Sequence, residues 1–274
     1  SQSPYYLMDA REGMRMGHKK IVDSLIQDGL WDPYNDTHMG NCAEILAKEG
    51  NYSREDQDEF AVESYQRSME AIKKGYFQDE ITPVEVPQRK GDPVIVDTDE
   101  EPGRGKPEKI SKLRSAFENE GTITAANASS INDGAAAVVV MSPEKSAELG
   151  MQPICRIITQ ASVAQEPLYF TTAPGKAISK VLDKSSLSIN DIDLFEINEA
   201  FSNVTLAAMR EHDIPYEKVN VHGGAVSLGH PIGASGSRIL VTLISALKQK
   251  NKKLGLATLC IGGGEAAAVI VEMI

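Results

Sequence analysis

From about Gly121 to its end, the chain alternates short apolar runs of strand type with amphipathic runs of helix type. That alternation constrains the fold more than any other feature. "CRIITQASV" (155–163) reads as a strand, and a helix is expected near 173–184. The strand "DLFEIN" (193–198), the helix "EAFSNVTLAAMREH" (199–212), the strand "VNVHG" (219–223) and the helix "GSRILVTLISALKQK" (236–250) follow in turn. "LGLATLCI" (254–261) and "AAAVIVEMI" (266–274) close the chain as strands on either side of a glycine turn. Strands joined through crossover helices run parallel, whereas strands joined by a tight turn run antiparallel. The pattern therefore predicts an α/β sheet with an antiparallel edge. Upstream, "GAAAVVVMS" (134–142) reads as another buried strand.

The first hundred or so residues have a different character, charged and rich in turn residues. One segment in them, "SREDQDEFAVESYQRSMEAIKKG" (53–75), is helical by every local rule. Ser53 can cap it with Asp56 three residues on, acids crowd its first turn, and Gly75 can end it. Phe60, Ala61, Tyr65, Met69 and Ile72 fall close to one face. The next stretch, "DEITPVEVPQRKGDPVIVDTDEEPGRGKPEK" (79–109), is broken by prolines and dense in charge, and it predicts an irregular excursion lying over something else.

With 41% hydrophobic and 24% charged residues the composition is globular, and 274 residues suffice for two domains or one large one. A net charge of −11 argues against a general nucleic-acid or membrane-surface binder, since both require a basic field. The basic clusters at Lys19-Lys20, Arg89-Lys90, 104–109 and 248–253 read as solvated faces. Three cysteines, Cys42, Cys155 and Cys260, predict free thiols in a reducing compartment, the cytoplasm or the mitochondrial matrix. No apolar run approaches the length that spans a bilayer, and the first residues show no signal-peptide core.

Three polar residues fall where expected strands end. Asn198 closes "DLFEIN", Cys260 closes a strand in "CIGGGEA", and His230 lies in "LGHPIGASGSRI", just ahead of the last helix. Ligands of α/β sheets bind at strand ends, so their convergence carries more weight than any one residue. Each also has an ordinary structural role open to it. The asparagine could be a helix cap, the cysteine an inert hydrophobe and the glycine run 262–264 a simple turn. A cysteine near a histidine is also a plausible acid–base pair, because an imidazolium lowers a neighbouring thiol's pKa. Bare N–H groups of the glycine run could receive a developing oxyanion.

Taken in order, "NEAF", "GGAVSLGHPIGASGSR" and "CIGGGEA" resemble the C-terminal half of the thiolases, most closely the acetoacetyl-CoA thiolases. "YNDTHMG" and "CAE", "LRSAF" and "TAANASSINDGAAA" extend the resemblance over essentially the whole chain. The resemblance implies the layered α/β/α/β/α thiolase fold, with a CoA-covering loop domain at 1–118, the end of an N-terminal core domain at 119–146 and a C-terminal catalytic core at 147–274. It implies a Claisen condensation of two acetyl-CoA to acetoacetyl-CoA and CoA, and the reverse thiolysis. Asn198, through a bound water, and His230 would form one oxyanion hole. Cys260 would be the acid/base, and the Gly262 N–H would join a second hole. Ser129, His38, Met39 and Phe117 would contact the pantetheine arm of CoA, while Ala200 and Phe201 would shape the acyl pocket. No tightly bound cofactor or metal is implied, only coenzyme A and acetyl-CoA as substrate, and the assembly would be a homo- or hetero-oligomer, a dimer or tetramer.

Thiolases also use a nucleophilic cysteine in a small-residue motif of their N-terminal half. Cys42 lies in the covering excursion and Cys155 in an expected strand, so neither matches it. The expectation is therefore a chain whose N-terminal half is largely absent, active with a complementing N-terminal thiolase polypeptide. A broader 3-ketoacyl-CoA thiolase is the near alternative, with the bulk of Tyr169 and Phe170 favouring short acyl groups. A non-catalytic thiolase-like protein binding acyl-CoA or lipid is the alternative from another class.

Overall fold

The computed structural model describes residues 2–274. Its first long elements are the helices α1 (Met39–Glu49) and α2 (Arg54–Lys73). At the start of α2 the Ser53 hydroxyl accepts from the Asp56 N–H, and the Asp56 carboxylate accepts from the Ser53 N–H, both at 3.0 Å. Two of the orphan donors of a helix start are thereby satisfied. The chain leaves this helix through Gly75 at φ +71°, as the glycine predicted. Its buried face differs from the expected one. Phe60, Ala61 and Ala71 are inside, but Met69 is 48% exposed, and Gln57, Asp58, Ser64 and Ser68 complete the buried set. The face is half polar because it packs on short helices and loops whose polar groups need partners. Gln57 donates to the Tyr52 carbonyl and to the Thr122 hydroxyl. Glu44 of α1 similarly accepts from Thr122 N and Ile123 N at 2.8 Å.

The charged excursion is not wholly irregular. Val84–Val86 and Val94–Val96 pair as a short antiparallel hairpin with exposed valines, and the chain then turns through a four-residue helix, Glu101–Arg104.

In the second half the alternation resolves into β1 (Cys155–Ala164), α3 (Ala173–Ser185), β2 (Leu194–Ile197), α4 (Ser202–His212), α5 (Ser235–Gln249), β3 (Leu254–Ile261) and β4 (Glu265–Met273). The four strands form one sheet in the order β1-β4-β3-β2. β2 and β3 are parallel, whereas β4 is antiparallel to both neighbours, as the turn and crossover lengths require. One face is covered by α3 and α4, with Ile178, Val181, Phe195, Ile197, Leu256 and Ile270 in its core. The other is covered by α5, whose Ile239, Leu243 and Leu247 pack on Leu194, Ala257 and Val271. α5 lies so close that a Cβ on Gly255 would stand 2.7 Å from Leu247 Cδ1.

Two expected strands do not form. Of "VNVHG" only isolated bridges remain, one from Val219 to Phe195 and one between Val221 and Gly223. Asn220 turns out of the strand at φ +45°, and its side-chain amide replaces the ladder, accepting from Ile197 N at 2.9 Å and donating to Ile197 O at 2.8 Å. "GAAAVVVMS" has no strand partner among the described residues, and Val139 and Val140 are 81% and 69% exposed. Its start is held instead against the histidine loop, where a Cβ on Gly134 would meet Pro231.

Candidate active site

Because β2 and β3 are parallel, their C-terminal ends lie on the same edge of the sheet. Asn198 follows β2, its N–H donating to Thr258 O at 3.0 Å, and Cys260 stands at the end of β3. The histidine loop reaches this edge through a third stretch of chain. His230 N donates to Ser130 O at 2.9 Å, and Ile131 bridges His230 while Ala128 bridges Phe201. One short segment, 128–131, thus ties the "NEAF" loop to the "GHP" loop. Ser129 reinforces the tie, donating from N and from Oγ to Ala200 O at 3.0 and 2.9 Å.

The "NEAF" loop itself is fixed by Glu199, which is fully buried. Its carboxylate accepts from Ser64 Oγ at 2.8 Å, Asn220 Nδ2 at 2.8 Å and Val226 N at 3.1 Å, so four separated stretches of sequence meet at one residue. Asn198 is not a helix cap, since α4 begins only at Ser202 and Phe201 precedes it. Its side chain is directed at the histidine, with Nδ2 at 3.4 Å from His230 Nε2, while Oδ1 is buried without a hydrogen-bond partner. On the far side of the ring, His230 Nδ1 lies 2.5 Å from Ser235 Oγ in the first turn of α5.

Cys260 faces an apolar cluster that includes Ala200, Phe201, Phe170 and Cys42, with Met39 and Phe117 packed against it. His38 stacks on Phe117 with ring centroids 5.0 Å apart. It also caps α1, its Nδ1 accepting from Gly40 N at 2.9 Å, which leaves the proton on Nε2. Met39 covers Gly262 so closely that a side chain there would collide with its Cε. The expected residues therefore come together as two adjoining groups. Asn198 and His230 form the polar group. Cys260, Gly262, Ala200, Phe201, Met39, Phe117 and His38 form the apolar wall. Ser129 braces the two, with its hydroxyl proton committed to Ala200.

Charge states depart from the expected imidazolium–thiolate pair. Burial, assisted by the Arg238 cation, pulls His230 down to about 4, so the ring is neutral at physiological pH. Burial pushes the Cys260 thiol up to about 12, so the acid form is the resting form. Cys42 is raised to about 11 by burial and by Asp32, and it behaves as a small buried hydrophobe.

Three residues of this site have no place among the sequence expectations. Ser235 touches the histidine from the opposite side of the ring. Arg238, one helical turn further along α5, carries its cation at a helix start, where the dipole disfavours it. Glu196 interrupts the apolar strand "LFEI", is 1% exposed, and lies 3.7 Å from Arg238. An acid inside a buried strand and a cation in a first helical turn are signals legible in the sequence. Among the described residues, no group of three or more His, Cys, Asp or Glu is placed to hold a metal ion.

Comparison with known proteins fixes the ancestry of this arrangement. The thiolase N-terminal domain matches residues 1–144 and the thiolase C-terminal domain matches residues 151–273. The first match overturns the expectation of a chain whose N-terminal half is largely absent, and a separate complementing polypeptide is without support. What the sequence divides into a covering excursion and a terminal strand belongs to one N-terminal family domain. An acetyl-CoA acetyltransferase from Pseudomonas aeruginosa is 51% identical over 270 residues, which cover 98% of this chain and 69% of that protein. One from Yarrowia lipolytica is 50% identical, over 100% of this chain and 68% of that protein. The crystal structure of a Bacillus anthracis acetyl-CoA acetyltransferase superposes with a TM-score of 0.95 at 42% identity, covering 99% of this chain and 68% of that one. That of an Ascaris suum thiolase in complex with coenzyme A superposes with a TM-score of 0.89 at 41% identity, covering 100% and 69%. With its family domains, its close relatives and its fold in agreement, the chain belongs to the thiolase family.

Proposed function

We propose that the chain carries out thiolase-type Claisen chemistry, condensing two acetyl-CoA to acetoacetyl-CoA and CoA and running the reverse thiolysis. The observation that carries this is the approach of Asn198 Nδ2 and His230 Nε2 to 3.4 Å, at the same sheet edge as the Cys260 thiol. Taking a proton from the carbon next to a thioester places negative charge on the thioester oxygen. Donors already aimed at that oxygen stabilise the charge as it forms. Asn198, through a bridging water that its Nδ2–H can hold, and His230 fill this role. Cys260, a thiol at rest, gives its proton to the carbanion in thiolysis and is left as a thiolate; in condensation that thiolate takes the α-proton and returns to the thiol. The Gly262 N–H belongs to a second hole. His38, Met39, Phe117 and Ser129 line the pantetheine arm, and Ala200 with Phe201 bounds the acyl group. The names of the acetyl-CoA acetyltransferase relatives and the coenzyme A in the Ascaris suum structure support this assignment. Association into an oligomer would cover the exposed valines at 84–96 and 138–140, and sedimentation of the purified chain measures it.

The test isolates proton transfer. Exchange of the acetyl-CoA methyl protons in D2O, followed by 1H NMR, needs only the acid/base and the oxyanion donors. Cys260→Ser abolishes the exchange while leaving coenzyme A affinity within about twofold. Exchange that persists at the wild-type rate would remove Cys260 from the mechanism.

A further inference from the structure

His230 can act as an oxyanion donor only if the proton of its neutral ring sits on Nε2, and the structure shows what decides this. Ser235 Oγ lies 2.5 Å from His230 Nδ1 and 3.0 Å from the Pro231 carbonyl. The hydroxyl has one proton to give, so the two contacts cannot both be donations from serine. The Pro231 carbonyl already accepts from Ala234 N at 2.8 Å and from Ser235 N at 2.9 Å, which occupies both of its lone pairs. The hydroxyl proton is therefore better placed on His230 Nδ1, the shorter contact. Nδ1 is then the acceptor and Nε2 must carry the ring proton. The remaining 3.4 Å contact becomes one between two donors, His230 Nε2–H and Asn198 Nδ2–H, with no acceptor between them. Two donors held side by side in this way, one on buried Asn198 and one on half-buried His230, are satisfied together by an incoming oxygen.

We propose that Ser235 is a positioning residue that selects the Nε2–H tautomer of His230 and aims the ring at the substrate oxygen. This rests on the assignment of Asn198 and His230 to the oxyanion hole. Ser235 is suited to the task because it is fully buried and fixed in the first turn of α5, so its hydroxyl has no water to bond instead. The loop glycine at 229, at φ +92° and pressed against the Asn132 side chain, sets the backbone direction that brings the ring to it.

The test reads the tautomer directly. Long-range 1H–15N correlation spectra of the histidine-labelled chain distinguish the protonated ring nitrogen from the bare one. In the wild type the protonated nitrogen should be Nε2. In Ser235→Ala the His230 signals should move toward a mixture of tautomers, and α-proton exchange should fall on the order of 10- to 100-fold, with acetyl-CoA affinity unchanged. Ser235→Thr, which keeps the hydroxyl, should restore both. A wild-type ring protonated at Nδ1, or a Ser235→Ala variant with unchanged tautomer and exchange, overturns the proposal. If Ser235→Ala fails to fold, the wild-type spectrum decides alone. If the tautomers behave as stated but even the wild type exchanges no α-protons, Ser235 keeps its role and the proposed activity falls.

Discussion

Glu196→Gln exchanges a carboxyl for an isosteric amide at one of the most deeply buried positions of the sheet. Glu196 Oε2 is 3.7 Å from Arg238 Nη1, within ion-pair range but beyond a hydrogen bond, and Oε1 has no hydrogen-bond partner. Burial pushes its pKa up to about 8, with Arg238 pulling it down and Glu199 and Glu80 adding like charge that raises it. In the unfolded chain the same carboxyl titrates near about 4.3. Between these values the folded protein holds more protons than the unfolded one, so stability falls as pH rises and levels off above about 8. At about 1.4 kcal/mol per pH unit, keeping Glu196 protonated at pH 7 costs up to about 3–4 kcal/mol. Glutamine has no such cost. Glu196→Gln should therefore match the wild type near pH 4.5 and gain on it steadily toward neutrality. By pH 7 the melting temperature should be higher by roughly 6–12 °C for a chain of this size. Differential scanning fluorimetry from pH 4.5 to 8.5 measures the gap. An ionised Glu196 paired with Arg238 predicts the opposite, a loss of about 3–5 kcal/mol from stranding the arginine. A lower melting temperature at pH 7, or a gap that does not vary with pH, would refute the neutral carboxyl.

Two further outcomes concern the wall of the site. With its pKa near 12, Cys260 should react with iodoacetamide at pH 8 about a thousandfold more slowly than an ordinary thiol, and the rate should climb about tenfold per pH unit; mass spectrometry of timed digests reads this, and fast labelling at pH 8 would show an activated thiolate instead. Phe170 is 3% exposed in the cluster that holds Cys260, so Phe170→Gly should shift thiolysis from four-carbon toward longer 3-ketoacyl-CoA substrates, with Phe170→Leu as the variant that retains packing. An unchanged chain-length preference in both would mean that Phe170 does not bound the acyl group.

Much of the secondary structure was legible because its causes are local. The capping box of α2, the apolar spacing of α3 and α5 and the glycine turn before β4 each depend on residues a few positions apart. The two missing strands show where local pattern stops. "VNVHG" has strand composition, yet Asn220 finds in Ile197 a partner 23 residues away and leaves the extended conformation. "GAAAVVVMS" has the composition of a buried strand, but pairing needs a neighbour, and composition does not supply one.

The same division runs through the site. Asn198, His230 and Cys260 could be picked out from sequence alone, because strand ends and glycine-lined turns are local features and the ordered motifs are long. Their protonation states could not. A histidine near 4 and a thiol near 12 follow from how many atoms of other elements exclude water from them. The sequence by itself determined which residues are candidates for the chemistry and which elements carry them. Only the tertiary structure decided that His230 meets Ser235 and Asn198, that Glu196 lies under Arg238, and that Cys260 rests as a thiol. Charge and hydrogen bonding depend on distances and burial, and these exist only once the chain has closed on itself.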